Sequence, residues 1–193
     1  MSLEKFNIRN SVLILMIILA AAMRFVHLDN QNVWANFTPV GAVSLFGGAY
    51  FTDKKKAYLV PLLTLFFSDL LINYLYFHHF VWFYGSAIWV YLSFAAMVYI
   101  GSIIPKINVA NVVVASICAV AAHWLLTDID PWLHGTLYSK GINGYFQSLI
   151  AAIPFERSLL MGNLVYGFIL FGGFELVKSK FPVLKLHNQL VVK

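Results

Sequence analysis

The chain has 193 residues, of which 61% are hydrophobic and 11% charged, with a net charge of +5 and mean hydropathy of +0.78. Soluble domains carry about 25% charged residues, and a fold this apolar would leave large greasy patches in water. Composition therefore excludes a soluble enzyme or binding module and predicts an integral membrane protein. The pI near 9.3 reflects dispersed basic residues beside apolar segments, for which anionic lipid is a sufficient partner, so no nucleic-acid partner is expected.

A membrane-crossing helix needs about 20 mostly apolar residues. The first such run, 11–26, contains Arg24 near its end and is followed by His27 and Asp29. Ala20-Ala21-Ala22 looks like a leader cleavage site, but the run is span-length and Arg24 follows directly, which predicts a retained anchor. The second run, 39–51, is short for a span. It is counted as one because omitting it would put the Lys-bearing segments around it on opposite faces. Thr38 is the expected N-cap, with Pro39 at the first helical position. Asp53 to Lys56 make a tight polar link to the third run, 57–76, which carries Ser68, Asp69 and Asn73, with His78 and His79 beyond it. The fourth run, 82–104, enters at Trp82 and Tyr84. Pro105 to Asn108 link it to the fifth, 109–126, with Asn108 as cap.

The fifth run leaves at His123, Trp124, Thr127, Asp128 and Asp130, and the sixth, 159–177, is entered through Glu156, Arg157, Ser158 and Asn163. Between them, 128–155 is the longest connection. Its stretch 145–155 is apolar but too short to cross, which predicts a re-entrant or interfacial segment ending at Pro154 and covering the bundle as a lid. The expected architecture is a single all-α domain, a six-transmembrane-helix bundle with a long outer connection between helices 5 and 6.

Charge orients the bundle. Of thirteen Lys and Arg, ten fall on one face: Lys5, Arg9, Lys54, Lys55, Lys56, Lys106, Lys178, Lys180, Lys185 and Lys193. Arg24, Lys140 and Arg157 lie on the other. The positive-inside rule puts both termini and the short links in the cytoplasm, as for a multi-pass protein of a bacterial inner membrane.

The remaining polar side chains gather at the outer end, and an ionisable group within a span is a candidate functional group. The expected pocket lining is Asn36, Thr38, Asp69, His123, Thr127, Asp128, Trp132, Tyr138, Arg157 and Asn163. Asn, Thr and Tyr would orient a polar solute, Trp132 would stack on a planar part, and Asp69 and Arg157 would supply charge complementarity. Competing bland readings are an interfacial belt for the tryptophans, a local partner for Asp69 and a surface ion pair for Glu156 with Arg157. His78-His79 lacks a second ligand cluster, so no metal site is expected, nor any cofactor. Phosphate-binding, zinc-hydrolase, nucleophile-elbow and Cys-x-x-Cys motifs are absent, and no nucleophile is paired with a base, so no enzyme is expected. The single Cys118 permits no internal disulfide. The alternatives to a transport protein are a non-transporting scaffold subunit of a membrane complex and an intramembrane enzyme acting on lipid.

The block from Asn36-Phe37-Thr38-Pro39 to Gly47-Gly48-Ala49-Tyr50-Phe51 resembles the signature of an uncharacterised bacterial membrane family assigned to transport. That family is similar in fold to the S components of energy-coupling-factor (ECF) transporters. The resemblance extends through Ser68-Asp69-Leu70, Trp132-Leu133, Ala151 to Phe155 and Gly162 to Tyr166. It implies an S-component-like bundle, capture of a vitamin-like or other small solute from outside, and a dependence on an ECF T subunit and two ATPases. The chain departs from the pattern at Thr127-Asp128-Ile129, where relatives have Thr-Asn-Phe, and at Gly162-Asn163-Leu164, where they have Gly-Asp-Leu. An exchanged carboxylate predicts that Asp128 and Asn163 face one pocket.

Overall fold

The computed structural model describes residues 8–27 and 36–185. Asp29, Lys5, Lys193 and the tail beyond 185 lie outside the described residues. Helices follow in the order α1 (Ile8–Ala22), a 3-10 turn (Met23–His27), α2 (Val40–Tyr50), α3 (Lys54–Phe77), α4 (Ala87–Ser102), α5 (Val109–Thr127), the short α6 (Ile129–Leu133), α7 (Ile142–Gly167), a π turn (Phe168–Gly172) and α8 (Gly173–Lys180). No strand occurs among the described residues. Four stretches are long and apolar enough to cross a membrane: Ile8–Phe25, Lys54–Phe77, Val109–Leu133 and Ile142–Lys180. Val40–Tyr50 and Ala87–Ser102 are shorter apolar helices.

Side-chain caps set the starts of α3 and α5. The Asp53 carboxylate accepts the Lys55 N–H at 2.8 Å, so Lys54, Lys55 and Lys56 form the first turn of α3 and the polar link to it is shorter than expected. Asn108 caps α5 as its sequence position predicts, accepting from the Asn111 N–H at 2.8 Å. Thr38 does not cap α2. Pro39 takes the cap position with helical angles and no side-chain cap bond. His78 ends α3 in the left-handed conformation, its N–H returning to the Tyr74 carbonyl at 2.9 Å.

The largest departure concerns 128–155. The expected re-entrant segment ending at Pro154 is instead the first half of α7, which runs unbroken through Pro154 into the π turn and α8. Those 39 residues extend roughly 58 Å at 1.5 Å per residue, about twice the hydrocarbon thickness. A proline removes one backbone donor and bends a helix, but flanking apolar turns that pack on α5 hold the direction. What remains as connection is α6 and the loop 134–141.

α2 is the hub. All of its residues except Ala49 are buried, and it packs on α1, α3, α4, α5 and α7. At 11 residues it is only about 16 Å long. Neighbours on every side remove it from contact with lipid, so the length rule for lipid-exposed spans does not bind it. Small residues make the closest approach. A Cβ on Gly48 would overlap the Val98 carbonyl oxygen of α4, and one on Gly101 of α4 would overlap the Leu45 carbonyl oxygen of α2. Large apolar side chains point outward from the surrounding helices, among them Leu15, Ile18 and Leu19 of α1 and Leu63, Phe67 and Leu71 of α3. In water this surface would be a liability; against lipid it is the expected solution.

At the lysine-rich end α2 is tied down by aromatic and ionic contacts. Phe46 meets Phe171 and Phe174 edge-on, at centroid distances of 5.5 and 5.8 Å. Arg9 is buried, donating from Nε to the Leu184 carbonyl at 3.0 Å and from Nη1 to the Tyr50 carbonyl at 2.9 Å. The Tyr50 hydroxyl donates to Glu175 Oε1 at 2.6 Å, and Glu175 also pairs with Lys178. Arg9 therefore links α1, α2 and the turn after α8, a role its place among the basic residues did not suggest.

Candidate functional site

At the opposite end the helices part around a cavity of about 400 Å³. Its walls come from the 3-10 turn after α1 (Arg24), the entry to α2 (Asn36, Thr38, Val40), α3 (Leu65, Asp69), the α3–α4 loop and α4 (Tyr84, Val90, Phe94), the end of α5 (His123, Thr127, Asp128), Pro131, and α7 (Ala152, Phe155, Glu156, Leu159). Along α3 the lysine turn and Asp69 are 15 residues, or roughly 22 Å, apart.

An ion pair and an imidazole–carboxylate contact brace the walls. Arg24 Nη2 lies 2.7 Å from Asp69 Oδ1, both side chains being 14% exposed, and a second guanidinium nitrogen donates to the Ser68 hydroxyl. The Tyr84 hydroxyl also bonds the Asp69 carboxylate; burial first, and then the Asp69 charge, pushes this phenol well above its ordinary range. Asp69 is thus held by the 3-10 turn after α1 and by the α3–α4 loop. Across the cavity His123 Nδ1 lies 2.9 Å from Glu156 Oε1, with Phe94 edge-on to the imidazole at 5.5 Å. His123 and Thr127, one turn apart on α5, share a face, and the Thr127 hydroxyl donates back to the His123 carbonyl at 2.9 Å. Asp128 is buried and accepts from the Ser148 hydroxyl at 2.7 Å. Tyr145 donates to the Leu125 carbonyl at 2.6 Å and Trp124 to the Leu149 carbonyl at 2.9 Å, clamping α7 against α5.

Of the residues predicted from sequence, Asn36, Thr38, Asp69, His123, Thr127 and Asp128 line this cavity. Four others do not. Trp132 donates to the Gly141 carbonyl at 3.1 Å and packs on Tyr145, closing the 134–141 loop instead of lining the cavity. Tyr138 lies in that loop, outside the walls. Arg157 is exposed, since helical rotation turns it away from its neighbour Glu156, and Glu156 pairs with His123 instead of with Arg157. Asn163 is fully buried between α7 and α2, where a Cβ on Gly41 would overlap its side chain. Asp128 and Asn163 therefore do not share a pocket, and the carboxylate exchange is not a swap within one site. Arg24, Tyr84 and Glu156 are the polar wall residues missed as site members. For Glu156 the signal was spacing: it falls on one helical face with Ala152 and Leu159 once the helix is drawn through Pro154.

Among the described residues no group of three or more His, Cys, Asp or Glu side chains is arranged to hold a metal ion. The walls alternate hydrogen-bonding groups with apolar surface from Val40, Leu65, Val90, Phe94, Phe155 and Leu159, a combination suited to orienting a small molecule. The sequence profile of a family of unknown function (DUF6580) matches residues 4–184, and the chain belongs to that family. No curated protein and no solved structure matches it.

Proposed function

We propose that this DUF6580 protein is a solute-binding membrane transport protein, S-component-like in arrangement, with six crossings. The observation that carries the reading is a polar cavity, braced by the Arg24–Asp69 ion pair and the His123–Glu156 contact, at the end of the bundle opposite the lysines. A bundle whose only task was to scaffold a complex would gain nothing from holding ionised side chains around a space, because each carries a desolvation penalty. In this reading α2, screened by its neighbours, and α4, with Ile88, Leu92 and Tyr99 exposed on its outer face, complete the crossings as short helices. The lysine-rich links and both termini face the cytoplasm of a bacterial cell, and the cavity opens outward beneath α6 and the 134–141 loop. The resemblance to ECF S components adds a T subunit and two ATPases as partners and a vitamin-like solute as cargo.

Native mass spectrometry of the protein released from nanodiscs tests the binding step. The expected result is a co-purifying small molecule that is lost in Thr127→Trp, a substitution that fills the cavity. A folded wild-type protein carrying no small molecule, with no stabilisation by any solute in a metabolite screen, would refute the reading. Labelling Lys55→Cys in a Cys118→Ser background tests the orientation, which requires that an impermeant maleimide reach it only from the cytoplasmic side.

A further inference from the structure

Resting on the solute-binding reading of the cavity, we propose that the solute is a small organic cation, an ammonium or an N-alkylated heterocycle, held with its charge near Glu156 and Asp128. The walls carry three carboxylates, Asp69, Asp128 and Glu156, against one permanent cation, Arg24, and one imidazole, His123. Arg24 is committed to Asp69. Two carboxylates are left with His123, so the walls hold one negative charge in excess if the imidazole is protonated and two if it is neutral. Helix ends do not reverse that sign. The uncapped start of α2 brings about half a positive charge to the cavity, and the end of α5, at Thr127 and Asp128, brings about half a negative one.

A second observation is independent of the charge count. Glu156 is only 7% exposed, its Oε1 faces His123, and its Oε2 finds no hydrogen-bond donor among the described residues. A buried carboxylate oxygen without a donor is strongly disfavoured, and a cationic N–H or a fixed positive charge in the adjoining cavity removes that penalty. The space is far larger than a bare ion, and the described side chains offer no metal-ligand cluster. Phe94 and Tyr84 supply ring surface, and Leu65 and Val90 supply apolar wall for a carbon skeleton beside the charge.

The test titrates the protein in nanodiscs with size-matched probes: benzylammonium, N-methylpyridinium, benzyl alcohol and benzoate, with sodium chloride as the inorganic arm. The two organic cations are expected to bind at least tenfold more tightly than benzyl alcohol, and benzoate more weakly still. Glu156→Gln and Asp128→Asn are each expected to erase that preference; if neither variant folds, the ranking on the wild-type protein decides alone. Benzyl alcohol or benzoate binding as tightly as the cations overturns the charge assignment and leaves the solute reading standing, as does saturation by sodium alone. If the probes are silent and a molecule co-purifies, its charge decides: a neutral or anionic molecule overturns the proposal and a cation supports it. Silence from every probe with no co-purifying molecule removes the solute reading and this inference together.

Discussion

Removing either partner of the Arg24–Asp69 pair should damage the protein far more than removing both. The two side chains are equally shielded, at 14% exposure, and 2.7 Å apart. Arg24→Leu leaves the Asp69 carboxylate in the bundle with only the Tyr84 hydroxyl to stabilise it, and Asp69→Asn leaves a guanidinium facing a neutral amide. Breaking a buried pair from one side costs about 3–5 kcal/mol, whereas neutral replacement of both partners is often close to neutral. Each single variant should therefore lose about 3 kcal/mol. The double variant Arg24→Leu/Asp69→Asn should lose less than either alone would predict, giving a coupling energy of about 2–3 kcal/mol. Detergent-driven unfolding in mixed micelles, followed by tryptophan fluorescence, measures all four corners of the cycle. Losses that add to within about 0.5 kcal/mol would refute the reasoning, because independent sites behave that way.

Three further outcomes are expected. Gly41→Ala should lose about 1–3 kcal/mol by overpacking against Asn163, and Asn163→Ala should rescue it; Gly48→Ala, which meets the Val98 carbonyl, should find no such side-chain rescue. The same unfolding assay reads both. Cys118 is exposed on α5 in the middle of an apolar helix, so in intact membranes it should react with an apolar maleimide and resist a charged one; efficient charged labelling would place that face in water. Lys140 donates to the carbonyls of Trp132, Leu133 and Gly135, so Lys140→Ala should speed amide exchange across residues 132–141 while leaving global unfolding unchanged.

The helices were legible because apolar runs, Asp53, Pro105 and Asn108 are local signals. Legibility failed where the deciding contact is distant. Arg9 reads as one more basic residue at a juxtamembrane end, yet its partners lie 41 and 175 residues away. Arg24 and Asp69 were each visible as polar residues at the outer end, but only the packing of α1 on α3 pairs them. Pro154 misled in the other direction: a helix-breaking residue in a short apolar stretch suggested an end, and the turns on either side overrode it. That single misjudged boundary hid Glu156, turned Arg157 into a candidate and placed Asn163 at the entrance of a helix when it sits in the middle of one.

The two ends of the bundle handle buried charge in opposite ways, and this contrast separates a site from a structural contact. At the lysine-rich end Arg9 donates to two backbone carbonyls and lies near the Phe174 ring, while Glu175 receives Tyr50 and Lys178. The charges there all find protein partners, although Glu175 is 36% exposed and borders a smaller, apolar cavity of about 200 Å³, and the result is a locked junction of α1, α2 and α8. At the other end the Arg24–Asp69 and His123–Glu156 pairs stand in different walls with a cavity between them, and Glu156 keeps an oxygen without a donor. Packing that closed this space would have paired that oxygen or replaced the carboxylate by an apolar side chain at little loss of stability. An ionised wall held open against that tendency is the physical reason for seeking a ligand there and not at the lysine-rich end.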